Sequence, residues 1–376
     1  MIYLDNAATT KVRPEVVEAM NQFNIDYYGN PSAVYSFARE TKKAIDQAKI
    51  SLSKWFNCDF KDIYFTSGGT ESINWAIKGL AYANREKGNH IITTQIEHHA
   101  TLHTCEYLEK NGFEVTYIPV DAEGKISLKI LKEAIKESTI LVSLIGVNNE
   151  IGTIQPLKEV GKICQKKDIL FHIDAVQALG HIPIDVELLG ASAISVSAHK
   201  VYGPKGIGAL YIKPGTKIQP LIHGGAQQNS KRSGTENVSG IVGFGKALEL
   251  LALDFEAETL RQSELRDFMI EELLKIQGSW LNGPNDAYRV CNNVNVGFSD
   301  IENDTLLFLL DMDGIMASSG SSCASGALEA SHVLKAIGLE KKQAKESIRL
   351  TIGNETTKMD IEALVQSIQK HISDLR

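Results

Sequence analysis

Cysteine is sparse. Five residues, Cys58, Cys105, Cys164, Cys291 and Cys323, are odd in number and scattered over 376 positions. That pattern fits a reducing compartment better than a disulfide framework, and no pair has the spacing of zinc ligands. No apolar run approaches the roughly eighteen residues that span a bilayer. The opening Met1 to Asp5 lacks a charged stretch ahead of an apolar one, so a cytoplasmic protein is expected. Basic residues are not in excess: 39 Lys and Arg against 46 Asp and Glu give a formal net charge of −7. A nucleic-acid partner needs a basic face, and this balance argues against one. Internal repeats and low-complexity tracts are absent. What remains is a globular composition, 43% hydrophobic and 23% charged, at a length that favours two domains.

Between residues 60 and 212, short β-branched runs alternate with stretches of helical period. This is the pattern of repeated βα units around a mostly parallel sheet. Strands are expected at 63–66, 90–93, 114–118, 140–145, 169–173, 193–197 and 208–212, with crossover helices such as 158–165. Seven strands so joined make a three-layer α/β domain. One long, largely uninterrupted helical pattern follows over 236–276, leading away from that domain. Strands at 293–298 and 347–352 and helices at 304–310 and 359–373 then form a smaller α+β domain. The expected division is 13–255 for the large domain, and 1–12 with 256–376 for the small one.

Ser197-Ala198-His199-Lys200 ends one of these strands, ahead of the Gly/Pro-rich turn Tyr202-Gly203-Pro204-Lys205-Gly206. A lysine presented there can form a Schiff base with a carbonyl once desolvation and nearby cations help it shed a proton. A solvated lysine beside a turn is the bland alternative. Asp174 ends the preceding strand, and in a parallel sheet both groups lie at the carboxyl edge where ligands bind. A carboxylate about 4 Å from a pyridine nitrogen, at an effective dielectric near 20, contributes roughly 4 kcal/mol, about three pKa units. That keeps the ring protonated and makes it an electron sink. Asp174 would otherwise cap a helix starting at Ala175.

Thr66-Ser67-Gly68-Gly69-Thr70-Glu71 supplies a strand end, a glycine turn and a helix start, which suits an anion. It matches neither the P-loop nor the dinucleotide fingerprint, and Ser67 or Thr70 acting as a plain cap is the alternative. His98, His99 and His103 fall close together, but the pattern is not H-E-x-x-H and no third ligand is evident, so a flat imidazole over a ring is preferred to zinc. Cys323 stands in Ser318-Ser319-Gly320-Ser321-Ser322-Cys323-Ala324-Ser325-Gly326, a run of small residues that reads as an exposed loop with an accessible thiol. An incidental surface cysteine fits the neighbourhood equally well.

Taken together, the segments resemble the NifS/IscS-type cysteine desulfurases, of the class V aminotransferase group with fold type I. The resemblance runs from Tyr3-Leu4-Asp5-Asn6-Ala7-Ala8-Thr9-Thr10 through Asn148-Asn149-Glu150-Ile151-Gly152-Thr153 and Arg232-Ser233-Gly234-Thr235-Glu236-Asn237. It continues to the Cys323 run and Ser347-Ile348-Arg349-Leu350. Departures occur at Tyr35, where a histidine is common, and at Gly224-Gly225-Ala226-Gln227-Gln228, where Gly-Gly-Gly-Gln-Glu is common.

The resemblance implies pyridoxal 5′-phosphate (PLP) as cofactor, with Lys200 as its Schiff-base lysine, Asp174 on the ring nitrogen, Gln177 on the ring hydroxyl and His98 stacked on the ring. Asn149 is implied beside cofactor and substrate; Gly69, Thr70, Ser197 and His199 hold the phosphate, and Thr235 reaches it from the other subunit of a homodimer. Arg349 is implied to bind the carboxylate of L-cysteine, a task suited to its planar fork. Lys200 then removes the Cα proton, and Cys323 takes the sulfur as a persulfide, releasing alanine and passing sulfur to acceptor proteins for iron–sulfur assembly, tRNA thiolation or related pathways. Rivals on the same fold, a selenocysteine lyase, a cystine lyase or an aminotransferase, do not need the loop thiol. A silent sulfur-carrier or scaffold relative would not need the whole residue set.

Overall fold

The computed structural model describes residues 1–320 and 330–376. Its largest sheet has seven strands: β2 (Ile63–Thr66), β3 (His90–Thr94), β4 (Glu114–Ile118), β5 (Thr139–Ile145), β6 (Leu170–Asp174), β7 (Ala193–Ser197) and β8 (Gly208–Ile212). They follow β1 (Ile2–Tyr3), which lies elsewhere. The spatial order is β2-β8-β7-β6-β5-β3-β4, and only β8 runs antiparallel to its neighbours. The central strands are buried almost throughout, β5 with its Thr-Ile-Leu-Val-Ser-Leu-Ile along its whole length. Continuous apolar runs of this kind are what a sheet covered on both faces requires. One cover is a core of Leu52, Phe56, Phe171, Val196, Phe244 and Leu248 with their neighbours. The other packs Trp75, Ile77, Leu80 and Leu108 against Ile91, Leu141 and Leu210.

The largely uninterrupted helical pattern expected over 236–276 is two helices, Val238–Ala252 and Phe255–Leu274. The break at Leu253-Asp254 has no glycine or proline to announce it, so periodicity alone could not find it. Its cause is a change of core. Ile241, Phe244, Leu248 and Leu251 bury against the large sheet, whereas Met269, Ile270 and Leu273 join a separate cluster with Leu4, Val296, Ile348 and Leu350. That second cluster lies around a three-stranded antiparallel sheet, β12-β10-β9, built from β9 (Ser279–Asn282), β10 (Asn293–Phe298) and β12 (Ser347–Thr351). Here β1 pairs in parallel with β11 (Ile315–Met316), and Thr351 donates its N–H to the Leu4 carbonyl at 2.7 Å. Asp174 does not cap a helix: β6 ends there, and Val176 donates its N–H back to the carboxylate at 3.0 Å in a turn.

Gly208 sits in the sheet between Thr66 and Ser197. A Cβ at this position would lie 2.6 Å from the Val196 carbonyl oxygen and 2.7 Å from Gly68 backbone atoms. Absence of a side chain therefore lets the turn after β2 fold over the sheet edge. Gly208→Ala is expected to cost roughly 1–3 kcal/mol through overpacking, read as a lower midpoint in thermal denaturation.

Candidate active site

The carboxyl ends of β5, β6 and β7 open on a cavity of about 260 Å³. Parallel pairing sets Asp174 opposite Ser195, and the short 3₁₀ turn Ala198–Lys200 then brings Lys200 to the same cavity. Ten residues picked out from the sequence line it: Gly69, Thr70, His98, Asn149, Asp174, Gln177, Ser197, His199, Lys200 and Arg349. Thr235 does not; it is exposed on a loop outside. Cys323 lies outside the described residues, although Gly320, just before them, is part of the lining.

Asp174 is buried at the floor. Burial raises its carboxyl to about 6, partly offset by the Val176 N–H and the Lys200 charge. The Lys200 ammonium donates to the carbonyls of Ala7 and Ala8, the latter at 2.7 Å. Gln177 also donates to Ala7, at 2.9 Å, so the N-terminal strand of chain forms one wall. The sequence gives no sign of this, because a backbone carbonyl leaves no residue signature.

His98 caps the helix His99–Glu109, accepting the Ala100 N–H on Nδ1 at 3.1 Å. With Nδ1 accepting, the proton of the neutral ring belongs on Nε2. Burial, followed by the charge of Lys200 and the neighbouring histidines, pushes the ring down to about 4, so it is neutral near pH 7. His99 and His103 share a helix face, with ring centroids 5.1 Å apart, and His332 approaches His99 to 4.9 Å. No group of metal-ligating side chains able to hold an ion exists among the described residues.

Arg349 is almost fully buried. Its Nη2 pairs with Asp5 at 2.6 Å and its Nη1 donates to the carbonyls of Asn149 (3.0 Å) and Gly320 (3.3 Å), while Nε has no partner among the described residues. Asp5 was visible in the sequence only as part of a motif. Glu150, also buried, accepts a bond from Ser331 at 2.5 Å. His332, on the cavity wall, bonds the Glu97 carbonyl at 2.9 Å.

Residues 2–364 match the family Aminotransferase class-V. The chain belongs to the class-V aminotransferase family. Within that family it is 53% identical over 377 residues to a curated protein of Clostridium botulinum named Cysteine desulfurase IscS, covering all of this chain and 95% of the relative. A solved structure described as a NifS-like protein superposes with a TM-score of 0.93 at 37% identity, over 99% of both chains. Another, described as SspA in complex with cysteine, is 36% identical with a TM-score of 0.83, over 94% of this chain and 99% of that one.

Class-V enzymes of this kind use PLP, and the donor set fits that molecule. Ser197 Oγ is buried on the cavity wall with no partner among the described residues. The helix Gly69–Ala83 begins without a side-chain cap, leaving its N-terminus to face an anion. A carboxylate for a ring nitrogen and an amine for an aldehyde, Asp174 and Lys200, share the same cavity. His98 should titrate below about pH 5 in ¹⁵N NMR of histidine-labelled protein, with Nε2 carrying the proton. Because its folded value lies below the unfolded 6.5, its contribution to stability is present above pH 6.5 and is lost as pH falls towards 4.

Proposed function

We propose that this chain is a PLP-dependent cysteine desulfurase that removes sulfur from L-cysteine, releases L-alanine and carries the sulfur as a persulfide on Cys323. The observation that carries the reading is the meeting of Lys200, Asp174, His98 and Arg349 in one cavity, in a chain 53% identical to a curated cysteine desulfurase. The solved relative described with cysteine bound supports the same substrate.

When bound, PLP supplies an aldehyde that captures an amine and a protonated ring that absorbs electrons freed at the substrate Cα. Asp174, held by the Val176 N–H, is the carboxylate for the ring nitrogen. Gln177 would contact the ring hydroxyl, and His98 would cover the ring with a proton on Nε2. Gly69, Thr70, Ser197 and His199 would hold the phosphate, and Asn149 would lie beside ring and substrate. Arg349 binds the substrate carboxylate; Asp5 fixes the guanidinium, and its buried Nε is available for a further bond. Lys200 moves the proton at the substrate Cα, since its amine already sits in the cavity. The Cys323 thiolate then attacks the substrate sulfur: an S–S bond forms, the Cβ–S bond breaks, and the carbon skeleton leaves as alanine after taking up a proton.

The reading extends to a homodimer in which Thr235 reaches the phosphate of the other subunit. Exposed Ile25, Tyr28, Val34 and Tyr35 support a protein interface, and the position of Thr235 outside its own cavity agrees with a role elsewhere. The two cores support a division into 13–255 and 1–12 with 256–376. No helix among the described residues is long and apolar enough to cross a membrane; a cytoplasmic enzyme serving sulfur-acceptor proteins is the reading we favour.

Lys200→Ala should abolish the visible band of bound cofactor, roughly 400–430 nm, in the purified protein. Cys323→Ala should keep that band but lower sulfide release from cysteine plus reductant by roughly a hundredfold or more, and mass spectrometry after incubation with cysteine should find no sulfur added at position 323. Undiminished release would favour a lyase.

A further inference from the structure

Glu71 occupies the first turn of the helix Gly69–Ala83, one residue beyond Thr70. A carboxylate there stands beside the helix end assigned above to the cofactor phosphate, where like charges repel. Its Oε2 accepts the Ser67 N–H at 2.8 Å, so it also shapes the turn that forms the cradle. Arg232 grips it as a two-pronged fork, Nε to Oε1 at 2.9 Å and Nη2 to Oε2 at 3.1 Å. Both side chains are largely buried, at 10% and 20% exposure, where such a fork is strongest. Burial raises the Glu71 carboxyl, but the bonds from Arg232 and Ser67 outweigh it and hold the group below the usual range, hence ionised.

Arg232 stands on the segment that ends at Thr235, and the approach to it is strained. Gln228, Asn229 and Ser230 are three successive non-glycine residues in the left-handed region, with φ of 46°, 57° and 60°. Such a stretch persists only when its surroundings fix it. Gln228 accepts the Phe65 N–H at 3.3 Å, and Gln227 accepts the Gly234 N–H at 3.1 Å. The segment is therefore tied to the strand and turn of the phosphate cradle at two points, Gln228 to Phe65 and Arg232 to Glu71.

We propose that Glu71 and Arg232 form a charge-neutralising pair beside the phosphate site: Arg232 cancels a carboxylate that would otherwise repel the phosphate. Neither residue is catalytic. The inference rests on the phosphate placement above.

The test titrates the cofactor-free protein with PLP and, in parallel, with pyridoxal, which lacks the phosphate, following intrinsic fluorescence. Arg232→Gln should weaken PLP by about tenfold or more, because an unpaired carboxylate then remains in the first turn of the helix that receives the phosphate. Glu71→Gln should stay within about threefold of the parent, and the double variant should recover most of the Arg232→Gln loss. Pyridoxal binding should vary by less than about threefold across the series. Equal PLP affinity in Arg232→Gln, additive losses in the double variant, or the same loss with pyridoxal would each overturn the pairing. A parent protein that binds PLP no better than pyridoxal would instead overturn the phosphate placement. If Arg232→Gln does not fold, judged by its melting curve, Arg232→Lys replaces it: the retained positive charge, though not the fork, should keep PLP within about threefold, and a tenfold loss would sink the neutralising role.

Discussion

Parallel pairing between β6 and β7 fixes the chemistry of this chain. Asp174 is the last residue of one strand and stands opposite Ser195 of the next, five positions before Lys200. Asp174 cannot move along its strand without breaking the ladder, and a slip of one residue would turn its side chain to the other face. Lys200 follows directly from the end of β7 in the short 3₁₀ turn. An acid and an amine are thereby presented to one cavity by rigid backbone rather than by mobile loops.

Around that fixed pair the cavity is completed by groups distant in sequence, and charge decides how each is held. Lys200 rests on two carbonyls from the N-terminal segment. Arg349 is clamped by Asp5 from the same segment. His98 is kept neutral by burial and by the amine beside it, and its helix-capping bond selects which nitrogen carries the proton. Isolated in an apolar interior, each ion would be costly; here each has a partner that leaves the functional atom facing inward.

The sheet was legible because most of its strands are buried on both faces and so appear as apolar runs bounded by turns; β2, β4, β7 and β8 match their expected limits, and the others shift by a residue. Lys200, Asp174 and His98 were legible because strand ends and helix starts carry side-chain signals. The split between the helices Val238–Ala252 and Phe255–Leu274 was not, since no glycine or proline marks Leu253-Asp254 and the change of partner core leaves no residue signature. Nor were the contacts of Ala7, Ala8 and Asp5, which depend on chain folding over hundreds of residues. The paired role of Glu71 and Arg232 was hidden for the same reason: an acid after a glycine turn and an arginine 161 positions later acquire meaning only once adjacent.

The placement of β1 has a consequence for biosynthesis. Leu4 packs among Ile348 and Leu350, and its carbonyl receives the Thr351 amide. Leu4 therefore waits for a partner 347 positions further along the chain. A nascent chain can complete the large sheet early, yet the wall that holds Lys200 and the clamp on Arg349 close only once β12 has been made. Contacts of such long sequence separation are slow to form, so a prematurely terminated product would keep much of the scaffold but lack a finished pocket.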